Sequence, residues 1–399
     1  MAGLAIGLAA GMTLSGSPQK AIGQILLPLG SLWLDALTMT VVPLVFGLLV
    51  VGVASASRSA AAGGTATRAL AIFALMLAAA CLSAAFLAEG LLQLWPVAAA
   101  NLNIGGGPAA VVAPATWYHS IIPPNPIKAA AETAMVPLVV FALFCGFATA
   151  RLEPGLAEAL LQPLRALVEA MLVIVSWVLA AGPIGIAALA FGAGARLGTG
   201  VFGALGQYVV VVAACCLAAT LLAYGWVAAI GSRSPLKFAR AAMPAQAVAL
   251  GTQSSLATLP VMIEAVGSLG LRRETTGIVL PMAVSLFRAA SAAANVAVAV
   301  YLSHVYHVPM GVGGLVLAAA VAVPVSLGAV GLPAQVSFFA TIAPVCIAIG
   351  VPVMALPLLL AIESIPDLFR TLGNVTNDMA AAVVAERWAP PERATGPTF

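Results

Sequence analysis

Between Val351 and Trp388 a long apolar run is interrupted by six polar or charged residues: Glu363, Asp367, Arg370, Thr371, Asn374 and Asp378. Their spacings of 4, 3, 1, 3 and 4 bring all six into one arc about 100° wide on a helix. A charge at mid-bilayer costs about 2.5–3.5 kcal/mol even on the mildest scale. Carboxylates and a guanidinium on one apolar helix therefore need partners or a water-filled cavity. An internal ion pair that locks helices together would account for the charges alone. It does not require the further polar residues on the same stripe, and these favour a functional site. Pro366, between Glu363 and Asp367, removes one helical hydrogen bond. It either frees the Ile362 carbonyl or merely kinks the helix.

The elements that must position this stripe follow from composition. Of 399 residues, 62% are hydrophobic and 7% charged, with a mean hydropathy of +1.11. Soluble domains carry about 25% charged residues, so the fold class is all-α and polytopic in a membrane. Apolar runs predict helices near 1–15, 31–55, 67–95, 133–150, 157–190, 200–230, 272–303 and 352–388. The N-terminal run lacks a basic n-region and reads as a first helix, not a signal peptide. Segments 241–268 and 311–350 differ: each is two short apolar halves around a small-residue tip, at Gly251–Ser255 and Ser326–Pro333. That pattern predicts re-entrant hairpins, whose unwound tips survive only under protein cover or along a cavity. Basic residues cluster on one set of loops, from Arg58 and Arg68 to Arg387 and Arg393, with only Lys20 and Arg196 clearly opposite. This bias puts both termini in the cytoplasm. The tail 389–399 reads as disordered.

Other chemistries find little support. Cys81, Cys145, Cys215, Cys216 and Cys346 lack metal-ligand spacing, so neither a metal site nor a disulfide framework is expected. Gly105-Gly106-Gly107 has no strand before it and no GKS/T after it, which excludes a phosphate cradle. An intramembrane hydrolase needs a nucleophile beside a base, yet His119, His304 and His307 map away from Ser255. No catalytic residues, cofactor or nucleic-acid partner are expected. Paired broken segments in the C-terminal half point to a transporter with a mid-membrane site; a passive anion channel remains the other option, since hairpin tips can line pores.

At this point the chain resembles a known family, the glutamate transporter homologues or dicarboxylate/amino acid:cation symporters. Thr252-Gln253-Ser254-Ser255-Leu256-Ala257-Thr258-Leu259-Pro260 is similar to their serine-rich first hairpin. Asp367 to Asp378 matches the last-helix pattern D-x-x-R-T-x-x-N-V-x-x-D, Ile122-Pro123-Pro124-Asn125-Pro126 the I-P-x-N-P loop, and Ala181-Gly182-Pro183-Ile184-Gly185 a scaffold helix end. The resemblance covers nearly the whole chain in order. It implies eight transmembrane helices plus two re-entrant hairpins, inverted repeats and a homotrimer working as an elevator in the cell inner membrane. Residues 1–60 and 108–199 would form the scaffold, and 61–107 and 200–388 the transport domain. Asp367 would then hold a substrate ammonium and Arg370 its side-chain carboxylate. Asn374, Thr371, Ser255 and the backbone at Gln253 and Ser254 would hydrogen-bond the substrate, and the tip containing Val330 and Gly331 would close over it. A guanidinium fits a carboxylate bidentately, so the expected substrate is an acidic α-amino acid, aspartate or glutamate.

The chain also departs from that family. Where the seventh helix usually reads Asn-Met-Asp-Gly-Thr, this chain has Phe287-Arg288-Ala289-Ala290-Ser291, and Phe73, Met76 and Leu77 stand where the third helix usually offers oxygens. Sodium prefers oxygen donors, as other hard cations do. The sodium sites are therefore expected to be lost, with Arg288 as a tethered cation paired to Asp378 or to a hairpin carbonyl. Glu363, Asp367, Asp378, Arg288, Arg370 and an acidic amino acid sum to −2. A proton would offset part of this, with Glu363, or else Asp378, as the candidate carrier. Transport is expected to be sodium-independent, either proton-coupled or uncoupled. The alternative is a sodium-coupled symporter for dicarboxylates or other amino acids.

Overall fold

The computed structural model describes residues 2–14, 17–61, 64–97, 122–197, 200–328 and 334–388. Within them all regular structure is helical, as expected where hydrocarbon leaves backbone groups no other partner. The first half comprises α1 (Ala2–Thr13), α2 (Ser17–Thr38), α3 (Val41–Ala61), α4 (Gly64–Leu94), α5 (Pro126–Ala131), α6 (Met135–Ala150), α7 (Pro154–Ala180) and α8 (Gly182–Leu197). The second comprises α9 (Gly200–Ile230), α10 (Pro235–Thr252), α11 (Ser255–Ser268), α12 (Arg273–Leu286), α13 (Ala289–Val305), α14 (Val312–Gly328), α15 (Ala334–Ala348), α16 (Leu356–Leu360) and α17 (Ser364–Glu386). Five stretches among the described residues are long and apolar enough to cross a membrane: Pro18–Arg58, Thr65–Leu94, Pro154–Ala180, Val201–Ile230 and Thr275–Val305. The chain is a multi-pass membrane protein.

Several expected single spans are broken, each for a local reason or a distant one. The run 31–55 lies on α2 and α3, which meet at Met39-Thr40; Pro43 removes a backbone donor just beyond. The run 157–190 divides at Ala181 into α7 and α8, where Pro183 suits the first turn of a new helix. The run 352–388 divides into α16 and α17 at residues 361–363. There the Ile362 carbonyl accepts from the Ile365 amide at 3.3 Å, so Pro366 does not leave it free. The run 272–303 divides at Phe287 and Arg288, whose φ/ψ of −105/92 and −113/62 are non-helical. Neither Gly nor Pro occupies that break. Instead the buried ring of Phe287 stacks on Phe73 of α4, centroids 4.8 Å apart.

Helices α10 and α11 pack on each other across Gln253, a non-glycine residue at φ 51. Ser254 caps α11 by accepting from the Ala257 amide at 3.2 Å. Helices α14 and α15 also pack together. The expected tip between them, including Val330 and Gly331, lies outside the described residues, as do Gly105–Gly107, His119 and the tail 389–399.

The core is built on small residues. Nearly every residue of α13 is buried, against α4, α9, α14, α15 and α17. Where α17 crosses α13 and α9, Gly373 leaves no room: a Cβ there would lie 2.5 Å from the Ala290 Cβ and 2.8 Å from the Thr220 hydroxyl. Similarly, Gly3, Gly7 and Gly11 run α1 along α8, and a Cβ on any of them would collide with the carbonyl oxygen of Pro183, Ala187 or Phe191. In lipid, where burying an apolar side chain between helices gains nothing over tails, such close backbone approach is what holds helices together.

Candidate functional site

Helices α13 and α17 run antiparallel with a register set by two contacts. Arg370 reaches Asn295, and four residues along α17, Asn374 reaches Ser291, four residues back along α13. One further turn brings Asp378 level with the Phe287–Arg288 break. The close crossing at Gly373 makes this register possible.

At the upper end of the ladder stands a buried chain of polar groups. The Tyr208 hydroxyl of α9 donates to Glu363 Oε2 at 2.5 Å. Glu363 Oε1 lies 2.7 Å from Arg370 Nε, and Arg370 Nη1 donates to Asn295 Oδ1 at 2.9 Å. Glu363 is 8% exposed and Arg370 6%, so the pair is largely desolvated and stable only because neutral groups flank it. Tyr208 is itself held edge-on against Tyr301, whose hydroxyl donates to the Ala204 carbonyl. Arg370 Nη2 is buried with no partner among the described residues, and its guanidinium lies 5.9 Å from the Phe338 ring centroid.

Glu363, Arg370, Asn295 and Phe338 line a cavity of about 580 Å³, within the usual range for small-molecule sites. Of the residues expected from sequence, it gathers Gln253, Arg288, Glu363, Asp367 and Arg370. Asp367 makes no ion pair or hydrogen bond through its carboxylate among the described residues. Arg288 donates from Nη1 to the Ser337 hydroxyl of α15 at 3.1 Å. The opposite wall comes from α1, α7 and α8, through Gly3, Leu4, Leu179, Gly182, Pro183 and Ile186.

Other expected residues stand elsewhere. Ser254 is a helix cap, and Ser255, Thr371, Asn374 and Asp378 are outside the lining. The Asn374 amide clasps Ser291, accepting from its amide at 3.1 Å and donating to its hydroxyl at 2.8 Å; Ser291, not Asn374, faces the cavity. Arg288 forms no ion pair with Asp378, whose two oxygens are fully buried without a partner among the described residues. Of the two expected partners, Asp378 is set aside: the cation of the helix break donates instead to the Ser337 hydroxyl of α15 and lines the cavity. Asp378 is not part of the cavity lining, where Glu363 and Asp367 (−2) face Arg288 and Arg370 (+2).

Sequence reasoning missed Tyr208, Ser291, Asn295 and Ser337. Ser291 and Asn295 did carry a signal, since with Arg288 they recur at spacings of 3 and 4 through an otherwise Ala/Val-rich run. Tyr208 and Ser337 carried none.

Comparison with known proteins agrees with this architecture. The family described as the sodium:dicarboxylate symporter family matches the chain over residues 1–388. The chain is 27% identical over 380 residues to "C4-dicarboxylate transport protein 1" of Polaromonas naphthalenivorans (strain CJ2), covering 92% of this chain and 82% of that protein. It is 25% identical over 398 residues to "Proton/sodium-glutamate symport protein" of Bacillus caldotenax, covering 97% of this chain and 92% of that protein.

Proposed function

Because the chain belongs to the sodium:dicarboxylate symporter family, and so is a transporter and not an enzyme, we propose that it carries an acidic α-amino acid, aspartate or glutamate, without sodium. The observation that carries the substrate reading is Asp367: an unpaired carboxylate on the same cavity as two guanidiniums. That set complements one ammonium and two carboxylates. A dicarboxylate would leave Asp367 without a counter-charge, and a neutral amino acid would leave a guanidinium unmatched.

Sodium independence is supported by what occupies the family's cation region. The Phe73–Phe287 stack fills the junction of α4 and the α12–α13 break with aromatic carbon, where a hard cation needs oxygens. Arg288 adds a fixed positive charge at the same break. Glu363 is the proposed proton carrier. In the empty site it holds Arg370; protonated, it releases the guanidinium to the substrate carboxylate. The cavity is neutral when empty, and one proton per acidic amino acid keeps it so.

The cavity lies between α1, α7 and α8 on one side and α10–α17 on the other. This supports a division into a scaffold (1–60 and 108–199) and a transport domain (61–107 and 200–388) that slides past it. The α10–α11 and α14–α15 pairs are the proposed re-entrant hairpins of an eight-span elevator. A homotrimer in the cell inner membrane, with cytoplasmic termini, completes the proposal.

The experiment is counterflow of labelled aspartate, glutamate and succinate in proteoliposomes with choline replacing all sodium. Saturable aspartate or glutamate exchange, driven further by an inward proton gradient, is expected. A strict sodium requirement would sink the ion reading. Succinate exchange without aspartate or glutamate exchange would sink the substrate reading in favour of a dicarboxylate carrier.

A further inference from the structure

An acidic amino acid carries two carboxylates; the reading above matches their number to two guanidiniums but assigns a receptor to only one of them, Arg370 for the side-chain carboxylate. The second needs its own cation, and the cavity contains one. Arg288 projects from the non-helical break between α12 and α13 and lines the cavity with Asp367 and Arg370. Its one side-chain hydrogen bond among the described residues goes from Nη1 to the neutral Ser337 hydroxyl. That bond anchors one edge of the planar group, and a guanidinium has five N–H donors, so a fork remains for a carboxylate.

A purely structural cation would be expected to pair with the buried carboxylate one turn below Asn374. It does not, since Asp378 has no partner among the described residues. We infer that Arg288 is a second substrate-contacting residue, which receives the α-carboxylate while Asp367 takes the neighbouring ammonium and Arg370 the side-chain carboxylate. The inference rests on the acidic amino acid reading and deepens it: charge on both ends of the substrate is recognised by side chains from the α12–α13 break and from α17. Because Ser337 belongs to α15, a carboxylate on Arg288 would also tie that helix to the α12–α13 break, coupling substrate occupancy to the second helix pair.

The test separates recognition from support by pairing variants with amidated substrates. Affinities of the purified full chain are measured by calorimetry, and by inhibition of labelled aspartate uptake for weak ligands. The ligands are aspartate, aspartate amidated at the α-carboxylate, and asparagine, which is amidated on the side chain. Arg288→Gln is expected to weaken aspartate roughly 10- to 100-fold, the loss of one charge-assisted contact, and to leave the α-amide within about threefold, since that ligand has no carboxylate there to lose. Asparagine, which keeps its α-carboxylate, should weaken with aspartate. Arg288→Lys keeps the charge without the fork and should give the same pattern at smaller amplitude; it serves if Arg288→Gln does not fold. Equal weakening of aspartate and its α-amide, or aspartate affinity within threefold of wild type, overturns the inference while the acidic amino acid reading stands. If wild-type protein binds neither aspartate nor glutamate, that underlying reading fails instead.

Discussion

Replacing Glu363 with Gln isolates the proposed coupling between proton and substrate. In the empty protein Glu363 Oε1 sits 2.7 Å from Arg370 Nε, and the substrate carboxylate must take over that guanidinium. A hydrogen bond to a charged group contributes about 1.5–3 kcal/mol, or roughly 10- to 100-fold in affinity. If Glu363 must be protonated for the exchange, the loaded protein carries one proton more than the empty one. Linkage then makes aspartate affinity rise as pH falls. Glu363→Gln removes the competitor permanently, so its affinity should match the acid-limit value of wild type and show no pH dependence. Pulling one partner from a buried pair costs about 3–5 kcal/mol, so the empty variant should melt earlier, and aspartate should restore more stability to it than to wild type. Calorimetric titration from acid to mildly alkaline pH, with thermal melts of empty and loaded protein, reads both effects. A variant that keeps the wild-type pH slope, or still accumulates aspartate against a gradient when driven by protons alone, would refute the reasoning.

Three further outcomes are expected. Asp367→Asn removes the one carboxylate of the cavity lining without a partner among the described residues and should weaken aspartate by roughly 10-fold or more while affecting succinate far less, as measured by competition for uptake. Arg370→Cys should abolish aspartate uptake, because Glu363 is left buried beside Tyr208 with no cation and the side-chain carboxylate has no receptor; uptake of labelled aspartate at wild-type affinity would contradict the assignment. Gly7→Leu should drive α1 off α8, since even a Cβ at Gly7 collides with the Ala187 carbonyl. Overpacking of this kind costs about 1–3 kcal/mol, to be seen as a lower melting temperature of the purified protein.

The polar stripe of α17 was legible without a structure because charge in an apolar run is a local anomaly, readable one residue at a time. Helical class followed for a similar reason: composition alone excludes water as the main solvent, and hydrocarbon then admits helices or closed barrels only. The position of the α10–α11 turn was visible in Gly251–Ser255 for the same local reason. What the stripe touches was not legible. Tyr208 meets Glu363 from 155 positions away, Asn295 meets Arg370 from 75, and Ser337 meets Arg288 from 49. Nor did any Gly or Pro announce the break at Phe287, because a ring stack with Phe73 on another helix holds it open. Two contacts share that origin. Asn374 grips Ser291, and Arg288 turns to Ser337 and not to Asp378, because both depend on the register of α13 against α17. That register depends on how closely Gly373 lets the backbones approach. Spacing along one helix assigns a residue to a face; only the packed neighbour decides whether that face meets a cavity, a partner side chain or nothing at all.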